Sequence, residues 1–133
     1  MAAGENIHRV LVVDDDAEIR AFLKEFCSVN GYDAAFARNG FDAITLIREE
    51  GPFGVIIADF LMPGMHGVEF IREVRKHWGD LPVIAMSAWA DVEQSLLEAG
   101  ASRFFAKPFD PQELETAIAQ ILQAPKKGSG TAD

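Results

Sequence analysis

Five polar residues stand directly behind apolar runs in this chain. Asp14 and Asp15 follow Arg-Val-Leu-Val-Val (9–13), and Asp59 follows Val-Ile-Ile-Ala (55–58). Ser87 follows Leu-Pro-Val-Ile-Ala-Met (81–86), and Lys107 follows Arg-Phe-Phe-Ala (103–106). Apolar runs without alternation suit parallel strands covered on both faces. A parallel sheet brings the carboxyl ends of its strands to one edge, where ligands and chemistry collect. Residues far apart in sequence can therefore meet there. Clustered carboxylates repel one another and cannot all stay ionised without a cation. Oxygen ligands suit a hard ion such as Mg²⁺. Lys107 offers a compact charge for a carboxylate or a phosphoryl oxygen, and Ser87 offers a small hydroxyl. A carboxylate nucleophile, a divalent metal and donors aimed at developing oxygen charge are the parts of phosphoryl transfer. Singly, each residue also has an ordinary role: Asp59 as a turn cap, Asp14 or Asp16 as a helix-start acid, Lys107 as a surface lysine, Ser87 as a strand-end hydroxyl. Their coincidence at four strand ends favours the joint reading.

The elements that must carry these residues follow from periodicity and breakers. After the first strand, Asp16 caps a helix whose Ile19, Phe22, Leu23 and Phe26 share one apolar face, ended by Asn30-Gly31. Tyr32 to Ala37 reads as a shorter, more polar strand at the sheet edge. Asn39-Gly40 opens a helix with Phe41, Ile44 and Ile47 facing inward, closed by Gly51-Pro52. The strand ending at Asp59 comes next, then a loop with Pro63, Gly64 and Gly67. Val68, Ile71 and Val74 mark a third helix, broken by Gly79-Asp80. Leu81 to Met86 is a fourth strand, and Ala90 to Ala99 a short helix with Val92, Leu96 and Leu97 as its apolar side. Arg103 to Ala106 makes a fifth strand. Asp110-Pro111 starts the last helix, with Leu114, Ala117, Ile118, Ile121 and Leu122 facing the core. Alternating strands and helices predict an α/β fold with a parallel sheet and helices on both faces. Strand order does not follow from periodicity.

Composition bounds the function classes. The chain has 133 residues, 49% of them hydrophobic, which suits one globular domain. No apolar run approaches a membrane span, and the start lacks the parts of a signal peptide. The single cysteine, Cys27, excludes an internal disulfide, suits a reducing cytoplasm and falls on a predicted core face. A formal net charge of −9 argues against sequence-independent nucleic-acid binding by this segment. We expect a tail over 1–6, a folded domain over 7–124 and a linker-like stretch over 125–133.

The chain resembles the receiver domains of two-component response regulators from about Ile7 to Gln123. The matching pieces are Val-Leu-Val-Val-Asp-Asp-Asp-Ala-Glu-Ile-Arg (10–20), Asp-Phe-Leu-Met-Pro-Gly-Met-His-Gly (59–67), Ile-Ala-Met-Ser-Ala (84–88) and Phe-Phe-Ala-Lys-Pro-Phe (104–109). The resemblance implies a flavodoxin-like, doubly wound five-stranded sheet in the order 2-1-3-4-5. It implies that Asp59 is the phosphoacceptor, charged by a histidine kinase or histidine phosphotransfer protein or by a small phosphodonor. Asp14, Asp15, Asp59 and the backbone carbonyl of Leu61 would hold Mg²⁺ (or Mn²⁺). Lys107 would pair with Asp59 and then with the phosphoryl oxygens, and Lys107-Pro108 would be a cis peptide, with Pro108 the cis-proline. Ser87 and Phe104 would form a switch that remodels the surface around the fourth helix, fifth strand and fifth helix.

Some positions depart from the commonest pattern. Ser87 stands where Thr is frequent, Phe104 where Tyr is frequent, and His66 where Asp is usual; we read His66 as a helix-start residue. Leu61 and Trp89 lie two residues past Asp59 and Ser87, where apolar bulk would restrict an attacking water.

Two other functions compete. A metal-dependent aspartyl-phosphate hydrolase would use Asp14 and Asp16, but its usual Thr after the second acid and its cap insertion are missing. A flavin module needs a Gly-, Ser- and Thr-rich phosphate cradle where this chain is acidic. No DNA-binding segment is read after residue 124, so the stretch acts alone or as part of a longer chain. Its downstream target or output domain is open, as is a homodimer. The last helix has no Lys or Arg between Pro111 and Ala124, which weakens the case for a charged dimer face.

Overall fold

Runs of β-branched and aliphatic residues that never alternate with polar ones can only be buried if both faces of their sheet are covered. Five strands and five α-helices alternate to do this among the described residues of the computed structural model, 8–61 and 64–123. They are β1 (Arg9–Val13), α1 (Ala17–Val29), β2 (Asp33–Ala37), α2 (Gly40–Glu50), β3 (Val55–Asp59), α3 (Gly67–Trp78), β4 (Val83–Ser87), α4 (Glu93–Ala99), β5 (Arg103–Ala106) and α5 (Pro111–Gln123). A 3-10 turn, Ala90–Val92, leads into α4. The expected tails over 1–6 and 125–133 lie outside the described residues.

The strands are parallel in the order β2-β1-β3-β4-β5, as the resemblance implies. Alternate residues of the central strands feed two cores. Leu11, Val13, Ile56 and Ala58 pack with Phe70, Ile71, Val74 and Leu96 of α3 and α4. Val10, Val12, Ile57 and Ile84 pack with Leu23, Phe26, Leu114 and Ile118 of α1 and α5. β3 and β4 are buried throughout, whereas the edge strands β2 and β5 are mostly half-buried. Three helix starts are capped by side-chain oxygens. Asp16 accepts from the Glu18 amide at 2.9 Å, Asn39 from Asp42 at 2.8 Å and Asp110 from Gln112 at 2.9 Å.

Several expectations need correction. Phe22, Phe41 and Leu97, expected on inner faces, are instead 42%, 56% and 41% exposed. Phe22 sits at the margin of the α1 face, edge-on to Phe109 at 5.9 Å between ring centres. The Phe41 ring covers Gly64, where an added Cβ would meet Cε2 at 3.1 Å. α4 is so short that it buries only Leu96 and Ala99, which leaves Leu97 outside. Tyr32 precedes β2 because its amide instead closes α1, donating to the Cys27 carbonyl at 2.8 Å. β4 starts after Pro82, whose carbonyl accepts from Ile56 at 2.9 Å but which has no amide to donate.

Cys27 is buried, and burial pushes its thiol up to about 11 from 9.0. Tyr32 rises to about 12 from 10.0 through burial and through its hydrogen bond to Glu115 at 3.1 Å. Both groups keep their protons longer in the folded state than in the unfolded one. Their contribution to stability is therefore full below pH 9 and is lost as the pH rises through 9 to 12. The urea midpoint should fall between pH 8.5 and pH 11, and thiol-disulfide reagents should modify folded Cys27 at least about tenfold more slowly than unfolded chain.

Candidate functional site

The register of the sheet sets the site. Val13 pairs with Ala58, Asp59 with Met86 and Ser87 with Ala106, so the chain leaves β1, β3, β4 and β5 at one edge. Backbone bonds past the strand ends extend this alignment. The Asp14 amide donates to Ala37 at 3.1 Å, the Phe60 amide to Met86 at 2.8 Å and the Lys107 amide to Ser87 at 2.8 Å. The result is an open cleft of about 340 Å³ lined by Asp14, Asp15, Asp16, Asp59, Leu61, Ser87, Ala88, Trp89 and Lys107.

Lys107 Nζ lies 2.6 Å from Asp59 Oδ1 and 3.1 Å from Asp14 Oδ2. The other oxygens of those acids are held by backbone. Asp59 Oδ2 accepts from the Leu61 amide at 3.1 Å, and Asp14 Oδ1 accepts from the Asp16 amide at 2.9 Å. Asp14 and Asp59 are only 3% and 8% exposed, while Asp15 reaches solvent. Burial pushes the Asp59 carboxyl up; the Lys107 hydrogen bond pulls it back, and the Asp14 charge pushes it further. Burial also opposes the Lys107 charge, but the Asp59 and Asp14 carboxylates outweigh it and hold the ammonium above its ordinary value. Carboxylate oxygens of Asp14, Asp15 and Asp59 lie within 4.8 Å of one another. Three hard oxygen donors facing a single ammonium form a set into which a small divalent cation fits.

Ser87 is buried at the cleft, and its Oγ accepts from the Trp89 amide at 2.9 Å. The Lys107–Pro108 peptide is cis. Phe104 does not line the cleft; it is half-buried against the α2–α3–α4 core, in register with Ala85. His66 sits at the N-cap of α3 without a side-chain cap bond, its ring 6.3 Å from that of Phe60. Phe60 also contacts Trp89, at 6.2 Å between ring centres.

Two residues support the site in roles that the sequence reading does not assign. Arg20 Nη1 donates to the Asp14 carbonyl at 2.8 Å and so fixes the turn after β1. Its signal was a cation four residues, one helical turn, past the Asp16 cap. Gly67 brings α3 against the end of β3, its amide donating to Phe60 at 2.8 Å.

These strand ends match a known family. The model of the response regulator receiver domain matches residues 10–119. The chain belongs to that family. As a receiver domain of two-component response regulators, it is similar to the probable transcriptional regulator ycf27 of Porphyridium aerugineum, 37% identical over 91% of the chain and 50% of that protein. It thus spans about half the length of the curated relatives it matches. Among solved structures, a putative response regulator from Chloroflexus aurantiacus superposes with a TM-score of 0.83, at 32% identity, over 88% of this chain and 98% of that one. TrrA of Thermotoga maritima, solved with Mg²⁺–BeF, gives 0.79 at 33% identity over 85% and 97%. No described helix of this receiver is long and apolar enough to cross a membrane.

A Cβ on Gly67 would fall 2.9 Å from Phe60 Cα and 3.4 Å from the Asp59 carbonyl oxygen. Backbone cannot yield as a side-chain tip can, so Gly67→Ala should cost about 1–3 kcal/mol of stability. Urea denaturation would show this as a lower midpoint.

Proposed function

We propose that this receiver domain carries a phosphoryl group on Asp59 in a phosphorelay, and that its chemistry acts only on itself. The observation that carries the reading is Lys107 Nζ bridging Asp59 and Asp14 at the cleft floor. A carboxylate oxygen of Asp59 forms the new P–O bond. The P–N bond of a phosphohistidine donor breaks, and the leaving imidazole keeps the electron pair and takes up a proton. Lys107 begins paired with Asp59 and follows the charge outward onto the phosphoryl oxygens.

Asp14, Asp15 and Asp59, with the Leu61 carbonyl, would hold Mg²⁺ (or Mn²⁺), which would offset the carboxylate repulsion and the charge of the phosphoryl oxygens. The Ser87 hydroxyl gives up its bond from the Trp89 amide and turns to a phosphoryl oxygen, and Phe104 repacks behind it. The surface so changed would meet a downstream protein, an attached output domain or a second copy. The donor is a histidine kinase or histidine phosphotransfer protein, and a cytoplasmic location suits that exchange.

Incubation with acetyl phosphate and Mg²⁺, followed by intact-mass spectrometry, should show a gain of one phosphoryl group. The gain should vanish without Mg²⁺ and in Asp59→Asn. No gain in any condition sinks acceptance from small donors. Leu61 and Trp89, 44% and 51% exposed at the rim, shield the bond from water. Leu61→Asn with Trp89→Ala should speed loss of the phosphoryl group on the order of tenfold. An unchanged rate would remove the shielding argument.

A further inference from the structure

A single guanidinium joins the ends of two helices. Arg75 lies in the last turn of α3 and is half-buried. Its Nε and Nη2 both donate to the Gly100 carbonyl, at 3.0 and 2.7 Å. Its Nη1 donates to the Gly79 and Leu81 carbonyls, at 2.9 and 2.6 Å. Gly79 and Gly100 are the residues that end α3 and α4. The last turn of α4 holds no basic residue. The charge that complements its dipole therefore comes from α3. Gly100 has φ +119, and a Cβ there would lie 2.8 Å from Arg75 Nε and 2.9 Å from its Cγ. The arginine stem runs through space that only a glycine leaves open.

The other end of α4 is held by much less. Its N-cap, Val92, makes no side-chain cap bond, and neither does Trp89 before the 3-10 turn. The Val92 amide reaches the Trp89 carbonyl only at 3.4 Å. From Ala88 to Ser95, none of the residues is fully buried. The side-chain tie to β4 on this side is the bond from the Trp89 amide to Ser87 Oγ, at the cleft.

We propose that Arg75 is the pivot of α4. Its guanidinium clamps the C-terminal end of that helix to α3 and to the loop before β4, and the N-terminal end beside Ser87 is the part that moves. Charge-assisted bonds to three carbonyls hold an end far better than a 3-10 turn without a cap. The clamp follows from these contacts alone. The swing driven from the cleft rests on the phosphoacceptor reading above.

Amide hydrogen exchange by NMR on the full chain tests the clamp. In Arg75→Met, the amides of Leu97 to Ala101 should exchange at least about tenfold faster than in the parent, while Leu11 and Ile57 stay within about twofold. Arg75→Lys, which keeps a charge but not the fork, should fall between the two. Equal acceleration of sheet and α4 amides would mean a merely structural loss and would overturn the proposal, as would no change at Leu97 to Ala101. A second measurement needs no variant. Mg²⁺ with beryllofluoride added to the parent should shift resonances from Ser87 to Gln94 and leave Leu97 to Ala101 nearly still. Equal shifts along the whole helix would refute the pivot. No shift at Asp59 or Ser87 would instead count against the phosphoacceptor reading, and the exchange result would still decide the clamp.

Discussion

The arrangement depends on one ammonium between two buried carboxylates. Asp14 and Asp59 come from different strands, and each alone would be a costly charge to take from water. Lys107 Nζ touches both, and backbone amides hold their remaining oxygens. Removing the lysine would leave two like charges facing each other without compensation. That constraint reaches into the sheet. The three residues meet only if β1, β3 and β5 end level, and they end level because apolar runs on both faces fix the register. The cleft is thus the cost of a well-packed core, displaced to its edge. Lys107 in turn is held by its own amide on the Ser87 carbonyl, so the charge that balances β1 and β3 is positioned through β4.

The rest of the molecule divides into parts that are tied down and one that is not. The central strands, with α1, α3 and α5, bury large side chains from Leu11 to Ile118. α4 contributes Leu96 and Ala99 and little else. Segments with few buried apolar contacts occupy the low end of a protein's local stability range. Here the 3-10 turn that leads into that segment begins three residues after Ser87, beside the cleft. A change of hydrogen bonding at one hydroxyl can therefore act on an element whose displacement disturbs almost none of the core. The Arg75 guanidinium limits how far such a displacement can run.

Much of this was legible in the sequence, for a definite reason. Buried parallel strands announce themselves as unbroken apolar runs, and helix starts as Asp16, Asn39 and Asp110. The class of fold and the convergence of Asp14, Asp15, Asp59, Ser87 and Lys107 follow from those signals together. Strand order did not, because pairing between strands leaves no local pattern; it came only through the resemblance to receiver domains. Periodicity also misjudged Phe22, Phe41 and Leu97. A helical stripe says which side faces in, but not where the covering layer stops. Phe22 lies at the margin of its core, Phe41 over a loop glycine, and Leu97 on a helix too short to bury two leucines side by side. Arg75 was invisible for another reason: its partners are backbone carbonyls, and a carbonyl carries no residue identity.

The floor and the rim of the cleft obey different rules. On the floor, buried Asp14 and Asp59 share the half-buried Lys107 ammonium, so a change at one leaves the others with unsatisfied charge. At the rim, Leu61 and Trp89 are about half exposed, and Trp89 rests on Phe60 rather than on the core. Substituting an exposed side chain away from such a network costs little stability. Yet both rim residues line the opening through which water must reach anything held at Asp59. Stability and the proposed shielding therefore fall to different side chains of the same cleft. On the phosphoacceptor reading proposed above, substitutions at Leu61 and Trp89 would change the lifetime of a phosphoryl group on Asp59 while the floor keeps its charges fixed and the fold is unchanged.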